Sequence, residues 1–84
     1  MPDLSGQLRE AILSLAARRA PGSICPSDAA RAVDPENWRE LMDLTRRVAR
    51  ELACAGDVVV TQKGVMLDPD ADRRGPVRIR VRSV

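Results

Sequence analysis

An 84-residue chain with 44% hydrophobic and 31% charged side chains has the composition of one small globular domain rather than of a disordered segment. Its net charge of +2 hides an asymmetry: residues 1–72 carry nine basic and 12 acidic side chains, a balance of −3, whereas residues 73–84 carry five arginines and no acid. There is no histidine, phenylalanine or tyrosine, and Trp38 is the single aromatic residue, so the core must be built from Leu, Ile, Val, Met and alanine.

The opening "MPDLSGQLRE" has no basic run followed by an apolar stretch, which argues against a secretory signal. No apolar segment approaches the roughly 18 residues of a membrane span. A soluble cytoplasmic protein without a membrane partner is the expectation. Residues 5–19 read as a first helix, because Leu8, Ala11, Ile12, Leu15 and Ala16 recur on one helical face, with Ser5 as its cap. "APG" at 20–22 ends it, since Pro21 disfavours helical geometry at Ala20. Ser23 and Ile24 read as a very short strand.

"CPSDAARAV" gives a second, short helix ending near Val33, with Pro26 in the first helical position and Asp28 at the positive end of the dipole. In "DPENWRELM", Asp34 reads as a cap, Pro35 as the first helical residue, and Val33 as a staple against Trp38. A single helix from Pro35 to Ala55 fits the apolar pattern; the preferred reading breaks it at Asp43, which then caps a separate helix carrying Leu44, Val48, Ala49 and Leu52. Gly56 ends that helix in the left-handed conformation it tolerates best.

"DVVVTQ" at 57–62 reads as a strand and Lys63-Gly64 as a turn. "DPDADRRG" reads as an exposed loop, and "PVRIRVRSV" alternates, with Val77, Ile79 and Val81 inward and Arg78, Arg80 and Arg82 outward. The fold class is therefore α+β: three or four helices followed by a small antiparallel wing, in one domain spanning 1–84 whose wing and basic strand occupy 57–84.

Three helices and two strands, with helix-turn-helix spacing between the second and third helices, resemble a winged helix-turn-helix domain. More specifically, "SICPSDAARAV", "WRELM", "VTQKG" and "RGPVRIR" are similar to the bacterial family called domain of unknown function 3253 over residues 8–82. The resemblance implies a winged-helix-like fold and transfers no catalytic or binding residue.

Enzyme chemistry lacks its parts. Without histidine there is no Cys-His or Ser-His pair and no ordinary zinc set, and the scattered Gly56, Gly64 and Gly75 form no phosphate loop. Cys25, at a helix start, has Asp28 near it and no basic neighbour in sequence, so it reads as a small half-buried residue. Cys54 falls on or beside the apolar face of the last helix. Asp68, Asp70 and Asp72 lack the glycine and distant Glu of a calcium loop and read as solvated. No catalytic residue, metal or small-molecule cofactor is expected.

The arginines remain. Arg46, Arg47 and Arg50 fall on the polar side of the last helix, in its first two turns if it begins at Asp43, where a recognition helix faces the major groove. Arg47 also stands four residues from both Asp43 and Glu51, so an ordinary surface ion pair is an open alternative. Arg73 and Arg74 close the loop, and Arg78 and Arg80 share a strand face, positions suited to phosphate contacts and equally to guarding an edge strand. Trp38 reads as a core anchor, which disfavours single-strand binding by stacking. Duplex DNA is the first expected partner, and a protein partner or second copy the alternative.

Overall fold

The computed structural model describes residues 3–62, 65–66 and 77–82. Helices α1 (Leu4–Arg19) and α2 (Pro26–Val33) are followed by a 3-10 turn, η1 (Trp38–Leu41), helix α3 (Met42–Ala55) and strands β1 (Val58–Gln62), β2 (Val65–Met66) and β3 (Arg78–Val81). The sheet is antiparallel in the order β2-β1-β3, with Val60 opposite Ile79 and Gln62 opposite Val65. The two-residue β2 was not expected, and the Lys63-Gly64 turn and the acidic loop holding Asp68, Asp70 and Asp72 lie outside the described residues.

Leu8, Ile12 and Ala16, spaced four apart, form the buried stripe of α1, which the helical spacing predicts. They meet Ile24, Ala29, Val48, Ala49, Leu52, Val58 and Ile79 in one core. Ile79 comes from the far end of the chain and is 0% exposed; its backbone exchanges two 2.7 Å hydrogen bonds with Ile24, which adds the segment before α2 to the edge of β3. This bridge closes the helices onto the sheet. Burying one such aliphatic side chain is worth about 1.5–3 kcal/mol.

Several local expectations change. Asp3, not Ser5, caps α1: its carboxylate accepts from the Gly6 N–H at 2.8 Å, and α1 begins one residue earlier than expected. Gly22 follows, with its N–H on the Arg19 carbonyl, where a Cβ would sit 2.8 Å from that oxygen. Cys25 occupies the cap position of α2, and Asp28 reaches back to its N–H at 2.9 Å, which fixes the start of the helix.

The segment after α2 differs most. Asp34 accepts from the N–H groups of Glu36 and Asn37, both at 3.2 Å, holding Pro35–Asn37 as a turn rather than as helix. The chain then enters η1, and α3 starts at Met42, so Asp43 stands in the first turn and caps nothing. The buried Thr45 hydroxyl donates to the Leu41 carbonyl at 2.7 Å, which satisfies both groups where 3-10 winding gives way to α. Trp38 lies half-buried in η1, outside the core, because the small aliphatic residues close the core without it. Gly56 ends α3 at φ 87°, as expected.

Candidate nucleic-acid interface

One face of α3 is spent on the core: Thr45, Val48, Ala49 and Leu52 are buried. At 100° per residue the opposite face carries Asp43, Arg46, Arg47, Arg50 and Cys54, all exposed. Cys54 thus lies on the outer face and not on the apolar one. Because α3 begins at Met42, Arg46 and Arg47 fall in its second turn and Arg50 opens the third.

The ion pairs weighed for Arg47 do not form. Glu51 turns instead to Arg9 of α1, at 3.8 Å, with both side chains more than half exposed, so the pair contributes little to stability. Among the described residues no carboxylate is paired with Arg46 or Arg47. Their guanidinium donors face solvent.

The strand arginines behave differently. Arg78 donates through Nε to the Ser23 hydroxyl at 2.9 Å, through Nη2 to the Ser23 carbonyl at 2.8 Å, and through Nη1 to the Cys25 sulfur. The basic neighbour that Cys25 lacks in sequence therefore arrives from β3. Arg80 is half-buried rather than outward, with Nε buried and without a hydrogen-bond partner in the structure. Arg82 is exposed and lies over Gly56, 3.1 Å from where a Cβ would be. Arg73 and Arg74 lie outside the described residues.

A second basic group escaped sequence reasoning. Arg31 of α2 sits 4.3 Å from the centre of the Trp38 ring and Arg39 sits 5.1 Å from it. Arg39 adjoins Trp38 in sequence, but Arg31 joins them only through the turn at 35–37, which no local pattern reveals.

Three helices, an Ile24 bridge between the first two and an antiparallel hairpin after the third define a winged helix-turn-helix domain of the α+β class. No helix among the described residues is long and apolar enough to cross a membrane. The chain belongs to the family described as "Protein of unknown function (DUF3253)", whose model matches residues 5–82. No curated protein matches it.

Proposed function

We propose that this winged-helix domain is a cytoplasmic binding module, not an enzyme, and that it binds duplex DNA. The observation that carries the reading is the outer face of α3, where Arg46, Arg47 and Arg50 are exposed and no described carboxylate neutralises Arg46 or Arg47. A helix bearing two guanidinium groups without a carboxylate partner in its second turn, Arg46 and Arg47, with Arg50 exposed one turn on, suits the major groove, where arginine donates two bonds to guanine. Arg73, Arg74 and Arg80 belong to the proposal as phosphate contacts from the wing, which position a duplex without reading it.

A second reading has its own support. Glu36, Glu40 and Asp43 are exposed around the leading end of α3, and carboxylates there repel phosphate. They favour a module that docks a protein partner or a second copy. Backbone amide shifts recorded by NMR while duplex DNA is added separate the two readings. Shifts gathered on 43–54 support the duplex, and an unperturbed α3 at saturating duplex contradicts it.

A further inference from the structure

The α2–η1 corner holds two guanidinium groups on one indole. Arg31 and Arg39 are exposed, Trp38 is half-buried beneath them, and their separations from the ring centre are 4.3 and 5.1 Å. Two like charges on one ring repel, and nothing described on the protein offsets them through an ion pair, since neither arginine is bonded to a carboxylate. The nearest acid in sequence before Trp38 that is already engaged, Asp34, accepts from the Glu36 and Asn37 N–H groups.

Stacking uses the flat faces of the guanidinium groups and leaves their N–H edges free. Those edges are the fork that matches a phosphate's oxygens, and the indole holds them in place before a ligand arrives, which lowers the ordering cost of binding. Position adds to the argument. η1 packs against both α2 and α3, and Arg39 lies three residues before Met42, the first residue of α3. The Arg31–Arg39 pair therefore stands on the elements that flank the leading end of α3.

We infer that Arg31 and Arg39, stacked on Trp38, form a phosphodiester contact for duplex DNA at the helix-turn-helix corner. The inference rests on the duplex reading of α3 and assigns a second, non-reading contact to it. Glu36 and Glu40 border the site and oppose it, so the site takes a phosphate only as part of a larger footprint and does not hold a free anion.

Trp38 is the chain's single aromatic residue, so its emission reports on this corner alone. The experiment titrates a 20-base-pair duplex (roughly two helical turns) into the full chain at several salt concentrations. It follows Trp38 fluorescence and, separately, the anisotropy of a labelled duplex. The variants are the Arg31→Ala/Arg39→Ala double substitution, and Arg18→Ala/Arg19→Ala as a control that removes the same charge from the exposed end of α1. Circular dichroism confirms that each is folded.

The expected result is a saturable change in Trp38 emission with the duplex and none with inorganic phosphate at equal phosphate concentration. The Arg31/Arg39 variant loses about 1.8 from the magnitude of the log K against log salt slope, for every duplex alike, from two lost contacts at about 0.9 each. The control loses clearly less. Duplex binding by the native chain with the same slope in the Arg31/Arg39 variant overturns this contact and leaves the α3 reading standing. Equal losses in both variants, or an equal response to inorganic phosphate, overturn it as well. No duplex binding by the native chain overturns both.

Discussion

Arg78 and Ser23, 55 positions apart, are joined by two hydrogen bonds, Nε to the hydroxyl at 2.9 Å and Nη2 to the carbonyl at 2.8 Å. A residue that the alternating "VRIRVR" offers as an outward-facing charge is thereby a tie between β3 and the segment leading into α2. Replacing it with alanine is expected to cost about 1 kcal/mol, the scale of one or two partly exposed hydrogen bonds. Arg78→Lys restores little, because a single ammonium cannot reproduce the planar fork. Urea unfolding of Arg78→Ala, Ser23→Ala and the double variant checks this, with the double costing less than the sum of the singles. The slope of duplex binding with salt is expected to stay at its native value in Arg78→Ala, since the side chain is held against Ser23 and Cys25 by three of its five N–H donors.

Gly56 carries the sharpest backbone requirement. At φ 87° it lies in the left-handed region, its N–H bonds to the Ala53 carbonyl at 3.1 Å, and the next N–H, of Asp57, reaches Leu52 at 2.9 Å. Gly56→Ala is expected to destabilise by about 1–2 kcal/mol, from the left-handed penalty, while Arg82 swings aside at small cost. Gly56→Asn should lose less, because asparagine tolerates that conformation. Thermal unfolding followed at 222 nm ranks the three proteins.

Ile79 is the residue through which the sheet, the Ile24 bridge and α1 share a core. Ile79→Val is expected to cost about 0.5–1.5 kcal/mol and Ile79→Ala about 2–5 kcal/mol. Against a total stability of about 5–15 kcal/mol for an ordinary domain, the alanine variant should melt well below the native chain. Calorimetry of both variants measures the difference.

What was legible in the sequence follows the range of the forces involved. The stripe Leu8, Ile12, Ala16, the proline start of α2, the glycine end of α3 and the inward side of Ile79 follow from local patterns, and the structure keeps them. The separate last helix was readable to within a residue, expected from Asp43 and found from Met42, whereas the winding before it was not, because Asp34 and Pro35 also carry the marks of a helix beginning. The choice fell to Asp34 holding a turn and to Thr45 bonding Leu41. The cap at Asp3 was missed through Ser5, an equally good acceptor two residues later. Contacts at long range were invisible: Arg78 on Ser23 and Cys25, Arg9 on Glu51, Arg31 over Trp38. Of the candidate site, the exposed arginines of α3 were legible from helical spacing, whereas the half-burial of Arg80 and the anchoring of Arg78 depend on neighbours that folding supplies.

The α3 face makes a distinct prediction about sequence preference. If Arg46 or Arg50 reads a guanine edge, its alanine variant should lose about 1–3 kcal/mol of discrimination between duplexes that differ at that pair. Arg47 variants serve as the comparison on the same face. Competition between a randomised duplex pool and the native and variant proteins, read by sequencing the bound fraction, shows which side chain carries preference.

The salt dependence of binding to duplex DNA tests the central claim most directly. With about three to five phosphates neutralised at about 0.9 per contact, log K should fall against log salt with a slope of roughly −3 to −4.5. Arg46→Ala and Arg50→Ala should weaken or redirect binding, measured by anisotropy of labelled duplexes on protein confirmed to be folded. No binding at about 50 mM salt, the low end of the range over which such contacts are compared, or binding indifferent to these substitutions, contradicts the nucleic-acid account and leaves the protein-docking module in its place.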